Sequence, residues 1–406
     1  MTASTVVSTL DLAKELAVRT PSRIVLLVID GLGGLPSDST GRTELETADV
    51  HNLDLLAWHS EVGLTVPLAP GITVGSGPGH LALFGYDPLE YRLGRGASSA
   101  LGVDFPLRPG DVVARINFAA VDGAGLVLDR RAGRISDEEG ERLCSLLDAI
   151  DIGVETFVRP EKGHRALVVF RGEGLSSFLS DSDPQHEGMP VLPVTALSPD
   201  GQRSAGLANR FIKSASERLR GEGQANAVLL RGFASHPEIP SMSEVYGLNP
   251  AAISAFPTYR GVARAVGMEV LATGQTLEAE VDTLEENWGR FDFFYLHMKW
   301  TDSAGEDGRF ADKVRLLEGI DRIIPRIRGL GPDVLAVAGD HSTPSSFREH
   351  TWHGVPFLVH SRWCMPSHVP SFDERECALG NLGVFPATRA MLLLMGHAGK
   401  LRKFGA

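Results

Sequence analysis

Asp30, Asp302, Asp340, His341 and His350 are the side chains of this sequence whose types best suit divalent cations. Carboxylates suit hard ions such as Mn²⁺ or Mg²⁺, and imidazole extends the choice to Zn²⁺. Two such ions roughly 4 Å apart clamp the attacking and leaving oxygens of a phosphoryl transfer. The stretch "VLAVAGDHSTPSSFREHTWHG" (334–354) displays the pattern: an apolar run stops on Asp340 and His341, and Glu349, His350 and His353 follow. Hydrophobic packing has no use for that crowd. Glu306, shortly after Asp302, is of ligand type too, whereas Glu349 and His353 read as supporting or solvent-facing residues. Each residue alone has a plainer reading. An Asp at a strand end is commonly a helix cap, and a single His commonly a surface or satisfied core residue. Their shared placement at strand ends is what argues for metal.

Four short apolar runs bounded by Gly, Asp or Pro read as buried strands of a largely parallel sheet: "RIVLLVID" (23–30), "FDFFYLHMK" (291–299), "DVLAVAGD" (333–340) and "GVPFLVHS" (354–361). Between the second and third, residues 310–327 place Val314, Leu317, Ile320 and Ile324 on one face, the spacing of an amphipathic helix. Strand, helix, strand is the unit of a parallel α/β sheet. Asp30, Asp302, Glu306, Asp340 and His341 sit at or past strand ends, and His350 just before a strand. Ligand crevices of open α/β sheets lie at the carboxyl ends of strands, so these residues are expected to converge.

A second stretch, "VGSGPGHLALFGYDP" (74–88), places Ser76 among glycines ahead of a helix-like apolar run. Glycines allow close approach of a substrate, and the positive end of a helix favours alkoxide and phosphate oxygens. Ser76 is therefore a candidate nucleophile, with an ordinary N-cap as the competing reading. Arginines, several of them near glycines, recur at Arg95, Arg115, Arg130, Arg131, Arg134, Arg165 and Arg231. Guanidinium forks suit carboxylate and phosphate. For any one of them a solvated surface role is the simpler reading, but three within "DRRAGRI" in an acidic protein favour anion binding.

The chain of 406 residues, 43% apolar and 22% charged, is long enough for two domains around a cleft. Runs such as "DVVARINFAAV", "RALVVFRG" and "NAVLLRG", with the helical "AGLANRFIKSASERLR", predict an inserted smaller α/β domain over 106–239, between 1–105 and 240–406 of the metal-binding domain. A net charge of −12 argues against a nucleic-acid partner. No run reaches the roughly 18 apolar residues of a membrane span, and the N-terminus lacks a signal pattern, so a cytoplasmic protein without a membrane partner is expected. Cys144, Cys364 and Cys377 are widely spaced and read as reduced core thiols.

Taken together, "VIDGLGGLP", "GHLALFGYDP", "GRG", "RINFAAVD", "DRRAGRIS", "LLRG", "GVARAVGM", "GDHSTP" and the terminal "FGA" resemble the archaeal-type cofactor-independent phosphoglycerate mutase family, within the alkaline phosphatase superfamily. The likeness runs through nearly the whole chain. It implies an alkaline-phosphatase-like metal domain with an inserted substrate domain, and two divalent ions, Mn²⁺ first and Mg²⁺ or Zn²⁺ as alternatives. By position, Asp30, Ser76, Asp340 and His341 would hold one ion, while Asp302 and His350 would help hold the other. Ser76 falls where the family carries its phosphorylated serine, and Arg95, Arg115, Asp129, Arg130, Arg134, His164 and Arg165 fall in substrate-associated stretches.

Two departures stand out. This chain reads "GSGPGH" where the family commonly has "GSDTAH", and "TDSAGEDG" where it has "TDEAGHDG", so Glu306 replaces a metal-binding His. A carboxylate there still holds Mn²⁺ or Mg²⁺ and disfavours zinc. The resemblance implies interconversion of 3- and 2-phosphoglycerate through a phosphoserine, with domain closure excluding water. Alternatives are a phosphatase or phosphotransferase acting on another small phosphorylated acid, and a binding protein that has lost turnover. Oligomeric state stays open.

Overall fold

The computed structural model describes residues 8–405. These divide into two compact units, one formed by residues up to 92 together with 239 onward, the other by 93–238.

The first unit is built on an eight-stranded sheet: β1 (Ile24–Ile29) and β2 (Glu61–Val66) from its early part, and β8 (Pro250–Ile253), β9 (Glu269–Leu271), β10 (Phe293–Met298), β11 (Val334–Ala338), β12 (Val355–Ser361) and β13 (Gly383–Pro386) from its later part. Their spatial order is β13-β2-β12-β11-β1-β10-β8-β9. β1 lies between β10 and β11 and is parallel to both, and β10 continues parallel to β8. Every residue of β1, β10 and β11 is buried, as continuous apolar runs covered on both faces require. On one face, Val25, Leu27 and Ile29 of β1 pack with Leu317, Ile320, Ile324 and Ile327 of the helix Phe310–Gly329. That helix is the one predicted over 310–327, with one correction to its buried stripe. Val314 is only half-buried, while Lys313 is fully buried on the inward face.

The fourth predicted strand, β12, runs antiparallel to its neighbours β11 and β2. The reversal puts the start of β12 at the same edge of the sheet as the carboxyl ends of β1, β10 and β11. This is why a histidine that precedes its strand meets carboxylates that follow theirs.

The second unit carries β3 (Val112–Val121), β4 (Val127–Asp129), β5 (Glu155–Lys162), β6 (Arg165–Arg171) and β7 (Ala227–Ser235) in an antiparallel sheet. Helices Asp137–Asp148 and Gln202–Arg218 bury Leu143, Leu147, Leu207 and Phe211 against Ile116, Val168 and Leu230. Residues 93–105, expected with the first unit, belong here. The helix Arg95–Gly102 packs Ala97 and Ala100 on Val113, Val169 and Ala234. Of the three cysteines, all free, Cys144 and Cys377 are buried and Cys364 is partly exposed, so the expectation of three core thiols holds for two.

Candidate active site and metal centre

β1 ends at Ile29, and the next residue, Asp30, is fully buried and anchored through its amide to Met298 O at 2.9 Å. Thr301 Oγ1 donates to Asp30 O at 2.6 Å, stitching the end of β10 to the end of β1. The helix Trp300–Glu306 starts immediately after β10 and places Asp302 in its first turn. Glu306, four residues on, lies on the same helix face. Beyond β11 come Asp340 and His341, both fully buried.

Two groups of ligand atoms result, each gathered within 4.8 Å: Asp30, Asp340 and His341, and Asp302, His341 and His350. His341 Nε2 lies 3.4 Å from Asp30 Oδ1 and 3.2 Å from Asp340 Oδ2. His350 Nε2 lies 3.4 Å from Asp302 Oδ1 and 3.7 Å from Glu306 Oε1, and its ring stacks on His341 with centroids 3.6 Å apart. Glu306 is about half-exposed at the rim and outside both close groups. Glu349 is exposed, and His353 turns to Thr351 Oγ1 at 3.0 Å.

The donor set fits metal. Thr343 Oγ1 lies 2.7 Å from Asp302 Oδ1 and 3.0 Å from His341 Nδ1. Its single proton goes to the carboxylate, so the hydroxyl oxygen accepts from His341 Nδ1–H and the lone pair of His341 is left on Nε2, facing Asp30 and Asp340. His350 Nδ1 donates to Val74 O at 2.9 Å, which aims its Nε2 at Asp302 in the same way. Asp30 Oδ1 and Asp340 Oδ2 are buried with no hydrogen-bond partner, an arrangement costly for carboxylates unless a cation satisfies them. Burial, then the Asp340 charge, raises the Asp30 carboxyl well above the usual carboxylate range. Burial also opposes ionisation of Asp340, but the neighbouring His341 and His80 outweigh it and hold that carboxyl below its usual range. Burial disfavours a charged His350, yet its hydrogen bonds to Asp302 and Glu306 carry it up to about 10. A cation binding these groups would compete with protons for Asp30 and His350.

Ser76 opens the helix Ser76–Leu83 as its first residue, and the N-cap is Gly75, with no side-chain cap. The N-cap reading of Ser76 therefore does not describe this helix. Ser76 Oγ lies 3.2 Å from His341 Nε2 and 3.4 Å from the Tyr259 hydroxyl, beside the first group. Close packing of this helix needs Gly79, where a Cβ would come within 2.3 Å of Asp340 O.

Sequence reasoning missed the supporting layer. His80 Nδ1 lies 2.8 Å from Ser76 O and 3.2 Å from Asp340 Oδ2. His297 Nε2 lies 3.1 Å from Asp30 Oδ2, and its ring stacks on Tyr259 at 3.7 Å. Lys299 contacts Asp302 Oδ2 and lies 3.6 Å from Asp30 Oδ2. Only "GH" at 79–80 and the alternation in "YLHMK", which puts a histidine and then a lysine at the end of a buried strand, offered a signal.

The basic residues of the second unit form their own cluster. Burial, followed by the charges of Arg165, Arg131 and Arg134, pushes His164 down to about 4. Arg115 donates to Ser99 Oγ and Glu161 Oε1, both at 2.9 Å. Arg130 closes its fork on Asp183 at 2.9 and 2.7 Å, so within "DRRAGRI" it is Arg131 and Arg134 that share the field around His164. Asp129 accepts from the amides of Arg131 at 2.7 Å and Gly133 at 2.6 Å, and so shapes that loop. The loop is strained, with φ of 46° at Ala132 and 57° at Arg134. Arg95 and Arg165 are exposed.

The family model described as 2,3-bisphosphoglycerate-independent phosphoglycerate mutase matches residues 57–224. A probable enzyme of that name from Thermotoga neapolitana is 48% identical, covering 97% of this chain and 98% of the relative. One from Thermus thermophilus is 50% identical over the same shares. Among solved structures, a Pyrococcus horikoshii protein superposes with a TM-score of 0.83 at 29% identity, covering 95% of this chain and 99% of that one. The cofactor-independent phosphoglycerate mutase of Thermoplasma acidophilum superposes with a TM-score of 0.72 at 30% identity, covering 93% and 100%. With likeness of this extent along both sequence and backbone, the chain belongs to the 2,3-bisphosphoglycerate-independent phosphoglycerate mutase family.

Proposed function

We propose that this protein interconverts 3-phosphoglycerate and 2-phosphoglycerate through a phosphoserine at Ser76, without bisphosphoglycerate. The observation that carries the reading is the position of Ser76 Oγ, 3.2 Å from His341 Nε2 at the rim of two adjoining groups of metal-ligand atoms. Asp30, Asp340 and His341, with Ser76, would hold one ion; Asp302 and His350, with Glu306 at the rim, would hold the other. Divalent ions held there would lower the pKa of the serine hydroxyl and help neutralise phosphoryl oxygens. Ser76 Oγ gives up its proton and forms a bond to phosphorus as the bond to the substrate's 3-oxygen breaks, and that oxygen takes up a proton to leave as a hydroxyl. The glycerate turns, and its 2-oxygen takes the phosphoryl group back from the serine. Binding the glycerate is the role we give to the inserted unit, residues 93–238, through Arg95, Arg115, Arg131, Arg134, His164 and Arg165, with Arg130, held on Asp183, and Asp129 shaping the loop. Water has to be kept from the phosphoserine throughout, because its hydrolysis would make a phosphatase of the same residues. The cytoplasm is the compartment this reading implies.

The test uses purified protein, Mn²⁺ and 3-phosphoglycerate with no bisphosphoglycerate. Formation of 2-phosphoglycerate is the expected result; free phosphate alone would identify a hydrolase, and no turnover a binding protein. Metal identity has its own test. A carboxylate at 306 favours hard ions, so Glu306→His is expected to raise affinity for Zn²⁺ relative to Mn²⁺ by about tenfold or more. Competition binding that finds the ratio unchanged would take Glu306 out of the metal centre.

A further inference from the structure

The metal-binding residues bring three buried carboxylates together, and one side chain with a fixed positive charge stands among them. Lys299 follows β10 directly, three residues before Asp302. Its ammonium contacts Asp302 Oδ2 and lies 3.6 Å from Asp30 Oδ2. Asp30 belongs to one group of ligand atoms and Asp302 to the other, so a single lysine spans both. The lysine side chain is 16% exposed, against 0% for Asp30 and 2% for Asp302, so it lies on the solvent side of the carboxylates it joins. It also lies over the Tyr259 ring, 5.7 Å from the centroid, and the hydroxyl of that tyrosine reaches Ser76 Oγ at 3.4 Å.

We propose that Lys299 is the exchangeable counter-cation of the metal centre: it occupies Asp30 and Asp302 before ions bind, and must release them for both groups to fill. The inference rests on the metal reading of the two groups, and not on the identity of the substrate. Three carboxylates crowded out of water repel one another strongly at low effective dielectric. A tethered ammonium offsets that repulsion and keeps the ligands placed, so the centre stays assembled when empty. The same ammonium competes with divalent ions for the carboxylate oxygens. Affinity for metal is therefore set below what the bare ligands would give. Once displaced, the ammonium has the Tyr259 ring face as a neighbour, close to Ser76.

Two measurements test this. In the first, metal-stripped wild-type and Lys299→Met proteins are titrated calorimetrically with Mn²⁺ at mildly alkaline pH, where protons compete least for the carboxylates. The variant is expected to bind about tenfold more tightly or better, and Lys299→Arg to stay near wild type. Equal or weaker binding by a folded Lys299→Met protein would overturn the proposal. The second measurement needs no variant. Wild-type protein is acetylated with and without Mn²⁺, and Lys299 is quantified by peptide mass spectrometry against the exposed Lys162. Release predicts at least about threefold faster labelling of Lys299 in the loaded protein, on the ground that a paired, enclosed amine is the poorer nucleophile. Unchanged labelling would equally overturn it. Neither measurement includes a phosphoglycerate, so loss of the mutase reading would show in turnover assays while these results stood.

Discussion

Replacing Ser76 with alanine is expected to lower mutase turnover by at least about 10⁴-fold while leaving the protein folded. The loss is large because the hydroxyl is the bond-forming group in the proposed transfer, and a methyl offers nothing in its place. Stability should change by no more than about 1 kcal/mol. Gly75, and not Ser76, occupies the N-cap, and the side chain of Ser76 caps no amide of its helix. Its contacts, 3.2 Å to His341 and 3.4 Å to Tyr259, lie beside the candidate metal ligands Asp30, Asp340 and His341. Two readouts decide the matter: turnover with Mn²⁺, and incorporation of phosphate from labelled 3-phosphoglycerate into the quenched protein. Wild type should carry acid-stable label and the variant none. A variant that kept full turnover would remove Ser76 from the mechanism.

The second large effect concerns stability. Lys313→Met is expected to destabilise the protein by about 3–5 kcal/mol, measured by urea unfolding. The Lys313 ammonium is fully buried and donates to Gly33 O at 3.1 Å and Thr343 O at 2.9 Å. Those carbonyls belong to the loops that follow Asp30 and His341. The neighbouring acids are Asp302, Glu44, whose Oε2 is buried without a partner, and Glu374, which burial drives up to about 7 despite hydrogen bonds from Thr43 and Gly34. Removing the lysine leaves Thr343 O without its donor, leaves Gly33 O with only the Thr343 amide at 3.0 Å, and leaves the neighbouring acids without a cation. Adding Glu374→Gln should recover part of the loss when unfolding is measured at alkaline pH, where the Glu374 carboxyl would otherwise be ionised without its cation. A change below about 1 kcal/mol would show that the buried cation contributes little.

Much of the fold could be read ahead because its central strands are unbroken apolar runs that end in acids. All four predicted strands of the larger sheet are present within one or two residues of their expected limits. Strand direction was not legible. Nothing in "GVPFLVHS" says that it returns against β11, and the reversal is a matter of how the chain between 339 and 354 folds back. Lys313 was invisible for a related reason. A lysine in an amphipathic pattern reads as solvent-facing, and only the carbonyls and acids arriving from other segments make its burial tolerable. Among the ligand-type residues, Asp30, Asp302, Asp340, His341 and His350 come together, whereas the roles of His80, His297, Tyr259 and Lys299 depend on contacts between segments hundreds of residues apart. In "DRRAGRI", sequence could not tell which arginine would be taken by Asp183, because that partner lies on a distant loop.

The return between β11 and β12 has one more implication. His341 and His350 ride on it together, and it is pinched shut by pairing of Ser342 with Thr351, whose amide donates to Ser342 O at 2.9 Å. In the function proposed above each histidine would serve a different cation, yet both hang from a single closed hairpin with their rings in face contact. On that assignment, an ion seated on one histidine would also restrain the arm that presents the other, so the two ions are expected to load cooperatively.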